Sequence, residues 1–143
     1  MRYKEEKRDL FSAESEYHFA HCISADFGMG KGIVIEFNKR FDMKNKLKQA
    51  YPNYLQTWAN GDCIKEEKVF NLITKERYYG KPTLITMKNA LIKMKEICLE
   101  ENITKIAMPK IGCGLDQLNW IDVKQLLFEV FEDTDIEIFV CYI

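Results

Sequence analysis

The chain has 143 residues, with 21 Lys+Arg against 22 Asp+Glu, so its formal charge is −1. That length predicts one domain over residues 1–143, and a content of 47% hydrophobic and 13% aromatic residues supplies a core of ordinary size without a metal or disulfide staple. Interspersed charge of both signs excludes a general nucleic-acid binder, because no net positive field draws phosphate to the whole surface; a local basic patch stays compatible.

The five cysteines, Cys22, Cys63, Cys98, Cys113 and Cys141, form an odd set without a CxxC pair. The start MRYKEEKRDLF is charged where a secretory signal would be apolar. Together these predict an intracellular protein, cytoplasmic or nuclear, with reduced thiols. No uncharged stretch approaches the ~18 apolar residues of a membrane helix, so no membrane partner is expected. The only histidines, His18 and His21, lack a second ligand pair at usable spacing, and neither a metal nor a cofactor is expected.

In chain order, Tyr17 to Ser24 (YHFAHCIS) is short, apolar and aromatic, bounded by a polar loop and a glycine cluster, and reads as a buried strand. Lys31 to Phe41 reads as a helix opening from that cluster, with Ile33, Ile35, Phe37 and Phe41 apolar and Lys39 and Arg40 near its end. Val69 to Thr74 (VFNLIT) reads as a strand reached through a tight turn after Gly61-Asp62 and the charged run Lys65 to Lys68. The clearest helix starts at Pro82 or Thr83, with Leu84, Met87, Leu91, Met94 and Cys98 spaced by threes and fours. A strand over Thr104 to Met108, a glycine loop, a helix around Val123 to Phe131 and a closing strand over Ile136 to Ile143 complete the chain. Strands alternating with helices predict the α/β class: three layers, α/β/α, around a largely parallel or mixed sheet covered on both faces.

Three segments carry candidate chemistry. In Asp26-Phe27-Gly28-Met29-Gly30-Lys31-Gly32 the glycines alternate between a strand and a helix, so backbone N–H groups can approach an anion without a Cβ in the way. The same pattern also builds a plain strand-to-helix turn. A second glycine loop, Ile111-Gly112-Cys113-Gly114-Leu115-Asp116, again joins a strand to a helix. Ligands in α/β sheets lie outside the carboxyl ends of the strands, where two such loops grip one phosphate-containing ligand from both sides. Thr74-Lys75 follows the run VFNLI at that edge, where Lys75 is either a nucleophile or a solvated lysine beside Glu76 and Arg77. Asp116 is either a helix N-cap or a catalytic carboxylate. Cys113 lacks a histidine placed to activate it, and His21, inside an apolar run, reads first as a core histidine. Tyr51, Tyr54, Trp58, Tyr78 and Tyr79 offer rings for stacking a base or for core packing.

The succession Arg8-Asp9-Leu10-Phe11, Ala20-His21-Cys22-Ile23-Ser24, Met29-Gly30-Lys31-Gly32-Ile33, Leu72-Ile73-Thr74-Lys75 and Met108-Pro109-Lys110-Ile111-Gly112-Cys113-Gly114-Leu115-Asp116 resembles a macrodomain, over nearly the whole chain. The lysine after LIT together with the aspartate after IGCGL resembles the terminal ADP-ribose protein glycohydrolase branch. The resemblance implies an α/β/α fold binding ADP-ribose in a cleft at the strand ends. It places Lys75 as the nucleophile on the distal ribose and Asp116 as its partner. It implies a ligand-binding set of Asp9, Leu10, His21, Ser24, Gly28, Met29, Gly30, Gly32, Ile33, Thr74, Ile111, Gly112, Cys113, Gly114 and Leu115. Within that set Asp9 faces the adenine amino group, Ser24, Thr74 and the first loop face the distal ribose and diphosphate, and the second loop wraps the diphosphate. Arg8 departs from the family, which usually has glycine before the aspartate, and residues 42–62 match no motif.

The implied activity is hydrolysis of mono-ADP-ribose ester-linked to Glu or Asp side chains, with deacylation of O-acyl-ADP-ribose. The implied partners are ADP-ribose and ADP-ribosylated protein, and a monomer is expected. A hydrolase acting on ADP-ribosylated nucleic acid and a non-catalytic ADP-ribose reader are the competing readings.

Overall fold

A computed structural model describes residues 1–143. Six strands, β1 (Arg2–Lys7), β2 (His18–Ser24), β3 (Asp62–Glu66), β4 (Val69–Lys75), β5 (Lys105–Met108) and β6 (Glu137–Tyr142), form one sheet in the order β1-β6-β5-β2-β4-β3. Every neighbouring pair is parallel except β3 with β4, which is antiparallel. The helices are α1 (Val34–Phe41), α2 (Met43–Ala50), α3 (Tyr54–Thr57), α4 (Leu84–Glu101) and α5 (Trp120–Phe131). None is long and apolar enough to cross a membrane.

The sheet separates two apolar layers. On one face Phe70 and Leu72 of β4 pack with Met87, Leu91 and Met94 of α4 and Val123 and Leu127 of α5. On the other, Val69 and Ile73 pack with Phe37 of α1 and Met43 and Leu47 of α2. Alternate side chains of a strand point to opposite faces, so a central strand with both faces covered is apolar on both. The run VFNLIT is so except at Asn71 and Thr74, and all six of its residues are buried, with the Asn71 amide bonded to the Ile64 carbonyl and His21.

Helix starts follow from capping. The Thr83 hydroxyl accepts from the Thr86 N–H, and Thr86 returns the bond to the Thr83 N–H, so α4 opens on a reciprocal cap one residue after Pro82. α5 begins at Trp120, three residues before the predicted Val123, because the Asn119 side chain accepts from the Ile121 N–H. α1 begins at Val34 rather than Lys31, leaving the glycine segment outside the helix.

Two strands lie where charge hides them. β1 (RYKEEK) is an edge strand with nearly every side chain in solvent, and charge on an edge discourages pairing with other chains. In β3, Lys65 and Glu66 belong to the strand itself, which pairs Lys65 with Phe70 and Glu66 with Val69 and turns through Glu67 at φ +55°. The segment over residues 42–62 forms α2 and α3, and α2 buries Met43 and Leu47 beneath a lysine-rich outer face.

Candidate functional site

The parallel strands deliver their carboxyl ends to one edge of the sheet. There the segments following β1, β5 and β6, together with α1, enclose a groove of about 810 Å³, within the ~300–1,000 Å³ range of small-molecule sites. Arg8, Asp9, Leu10 and Phe11 line it from β1, Ile33, Glu36 and Arg40 from α1, Pro109, Lys110, Cys113 and Gly114 from β5, and Tyr142 from β6. Asp9 caps a short 3-10 turn, Leu10–Ser12, by accepting the Phe11 N–H on Oδ1 at 3.0 Å. Arg40 lies over the Phe11 ring at 4.2 Å, and Lys110 over the Tyr142 ring at 4.5 Å. Arg8 fits without strain because its φ is not positive, and its guanidinium donates to the Ser12 carbonyl and hydroxyl and pairs with Glu6 and Glu14.

Further along the same edge Lys75 ends β4. A register irregularity after Ile23 sets Ser24 opposite Lys75, and the Ala25 N–H then bonds the Lys75 carbonyl at 2.9 Å. Asp116 arrives from the loop after β5. Gly112 turns there at φ +73°, and a Cβ at that position would lie 2.7 Å from Met87 Cε and 3.0 Å from Leu118 Cδ1. Lys75 Nζ donates to Asp116 Oδ1 at 2.6 Å, with each side chain only 14% exposed. The solvated-lysine reading of Lys75 and the N-cap reading of Asp116 both give way to this contact; Asn119 is the α5 cap.

The two glycine loops approach each other. A Cβ on Gly32 would stand 3.5 Å from Leu115 Cδ1, and Lys81 Nζ donates to the Leu115 carbonyl at 2.7 Å. Gly30, Gly32, Gly114 and Leu115 are exposed, whereas Met29 and Ile111 are buried beneath their loops. Gly28 is pressed against Tyr78.

His21 is a correction. It is wholly buried, stacks on Phe37 with ring centroids 3.9 Å apart, and shares a 2.6 Å hydrogen bond between Nε2 and Asn71 Oδ1. The Asn71 amide donates to the Ile64 carbonyl, so its oxygen is the acceptor and His21 Nε2 the donor. Burial holds its pKa down at about 4, and the ring sits in the core, outside the residues that line the groove. The hydroxyl of buried Ser24 donates to Asp26, and Thr74 is fully enclosed.

Burial pushes the Cys113 thiol up to about 11, so it is a poor nucleophile at neutral pH. Among the aromatic residues, Tyr54 stacks on Phe27 at 5.5 Å and Trp58 Nε1 donates to the Ile73 carbonyl at 2.9 Å, which makes them packing residues. Tyr78 and Tyr79 remain exposed. No group of three His, Cys, Asp or Glu side chains converges to hold a metal ion.

The sequence reading assigned no role to Asp26, Arg40, Lys81 or Tyr142. Only Asp26 carried a local signal, since an aspartate two residues before a glycine is placed to accept that glycine's N–H.

No family model matches the chain. A human protein named ADP-ribose glycohydrolase OARD1 is 40% identical over 134 residues, spanning 92% of this chain and 86% of its own. A Mycobacterium tuberculosis protein named DNA ADP-ribosyl glycohydrolase is 27% identical over 133 residues, covering 87% of this chain and 37% of its own length. Among solved structures, the macrodomain of Mycobacterium tuberculosis DarG superposes with a TM-score of 0.86 at 23% identity, over 99% of this chain and 97% of that one.

Proposed function

The chain belongs to the macrodomain family of ADP-ribose glycohydrolases, and from that membership we propose that it hydrolyses ADP-ribose ester-linked to Glu or Asp side chains, and O-acyl-ADP-ribose as well. One observation carries the reading: the 2.6 Å contact between Lys75 Nζ and Asp116 Oδ1 at the strand edge that also bears the groove. In the proposed reaction Nζ passes a proton to Asp116 and attacks the anomeric carbon of the distal ribose. The C–N bond forms as the C–O bond to the acyl group breaks, and the carboxylate departs with the electron pair. A carboxylate leaves readily from an anomeric carbon, so the amine needs little acid assistance. Water then cleaves the lysyl adduct, with Asp116 placed to move the proton.

The adenosine end fits the segment after β1. Asp9 spends Oδ1 on the Phe11 N–H, and its other oxygen bonds nothing within the chain, leaving an acceptor for the adenine amino group. The diphosphate lies between the two glycine loops, whose exposed Gly30, Gly32 and Gly114 leave their backbones accessible. The test is turnover of a protein carrying ADP-ribose on acidic side chains by the wild type, Lys75→Ala and Asp116→Ala. Loss in both variants is expected, and undiminished activity in both overturns the assignment.

A second reading, removal of ADP-ribose from a nucleic-acid base, draws on the 27% identical relative named for acting on DNA. ADP-ribosylated single-stranded DNA assayed beside the modified protein separates them, since a base-directed enzyme prefers the DNA.

A further inference from the structure

One carboxylate ties together the backbone segments around the Lys75–Asp116 pair without belonging to it. Asp26 follows β2, and its Oδ1 accepts from the Ser24 hydroxyl and, at 3.1 Å, from the Gly28 N–H. Its Oδ2 accepts the Tyr78 N–H at 3.0 Å, from the segment three residues beyond Lys75. Burial alone would raise the pKa of this group, yet the hydrogen bonds from Ser24, Tyr78 and Gly28 hold it below the usual carboxylate range.

The surrounding backbone is closely fitted. The Asp26 N–H bonds the Glu76 carbonyl at 3.2 Å, carrying the β2–β4 pairing past the nucleophile. Phe27 sits at φ +57°, a left-handed conformation rare for an aromatic residue, with its ring buried against Tyr54. Gly28 approaches so closely that a Cβ there would lie 2.8 Å from Tyr78 Cβ. From Tyr78 the segment continues to Lys81, whose ammonium bonds the carbonyl of Leu115, the residue before Asp116. The glycine loop, the exit from β4 and the Asp116 loop are therefore linked in series, with Asp26 as the first link.

We infer that Asp26 is a positioning residue: its carboxylate fixes the first glycine loop against the segment leaving Lys75, so that a ribose held at that loop stays at one distance from the Lys75 amine. The role rests on the reading that Lys75 is the nucleophile. It differs from a purely structural one, because the carboxylate's bonds tie the loop to the segment leaving Lys75, whereas Ala25, Phe27 and Met29 on either side of Asp26 supply the apolar anchoring of the loop.

The experiment compares wild type, Asp26→Ala, Asp26→Asn and Lys75→Ala. It measures melting temperature, ADP-ribose affinity and stoichiometry by calorimetry, and kcat and KM on a protein carrying ADP-ribose on acidic side chains. Asp26→Ala is expected to bind ADP-ribose at full stoichiometry, with affinity lowered less than about tenfold, and to lose about 100-fold in kcat, the scale set by a misplacement of about 1 Å. Asp26→Asn keeps an oxygen for Ser24 and Gly28 but turns an amide toward the Tyr78 N–H, so its kcat is expected to fall about tenfold at an unchanged melting temperature. That isosteric variant decides the matter if Asp26→Ala does not fold. A kcat within about twofold of wild type in Asp26→Asn, with Lys75→Ala inactive, overturns the positioning role and leaves the nucleophile reading intact. Turnover that survives in Lys75→Ala overturns the nucleophile reading, and this role with it.

Discussion

At Gly28 the space for a single carbon sets how closely the first glycine loop approaches the segment after Lys75. Gly28→Ala would place a Cβ 2.8 Å from Tyr78 Cβ and 3.3 Å from its Cγ, contacts that force the backbone apart. About a tenfold loss of ADP-ribose affinity is expected, on the scale of 1.4 kcal/mol per factor of ten, and Tyr78→Gly added to it should restore most of the loss. Calorimetry on the single and double variants checks both. His21 supports a prediction about pH. Its pKa in the folded chain is about 4, against an ordinary 6.5, so between those values the unfolded chain binds a proton that the native core refuses. Stability therefore falls as pH drops from about 6.5 to 4 and levels off below, by up to about 3 kcal/mol from this residue. Urea unfolding of wild type beside His21→Gln reads this, since the variant should lack that share of the acid sensitivity. Local sequence marked His21 as apolar in context, which agrees with its burial. Its place in the ligand set came from the family motif, and that motif does not say which face of β2 the ring occupies.

Among the elements, readability followed burial. β4 and α4 announce themselves because both faces of one and one stripe of the other are apolar. β1 and β3 do not, since an edge strand tolerates lysine and glutamate and so loses the alternation that marks a strand. The start of α5 turned on two side chains three residues apart, Asp116 and Asn119, both suited to capping. Gln117, in a left-handed conformation at φ +65°, turns the chain between them, and Lys75 engages Asp116 while Asn119 caps. At α4 the cap is exposed and its bonds run only between Thr83 and Thr86, so Thr83→Ala should cost about 1 kcal/mol of stability. Denaturant titration should show the lower midpoint while ADP-ribose affinity stays at the wild-type value; a loss of affinity would show that α4 transmits strain to the site.

For the molecule as a whole, the strand order makes the site. Lys75 and Asp116, 41 positions apart, meet because β4 and β5 flank β2 and all three end at the same edge. That convergence was readable from the alternation of strands and helices, since parallel strands must release their loops together. The groove was not readable, because it depends on segments from β1, α1, β5 and β6 meeting in space without any shared sequence pattern; of the Asp26 links only the local one to Gly28 carried a signal, since the bond from Tyr78 crosses from the segment after β4. Every proposed step runs through Lys75 as nucleophile. The most direct measurement is mass spectrometry of Asp116→Ala, in which resolution of the adduct is slowed, after incubation with a protein carrying ADP-ribose on acidic side chains. The predicted result is ADP-ribose bound covalently to the peptide containing Lys75 and absent from the Lys75→Ala, Asp116→Ala double variant. Release of ADP-ribose by a turning-over enzyme with no adduct at Lys75, or with the adduct on another residue, would contradict it.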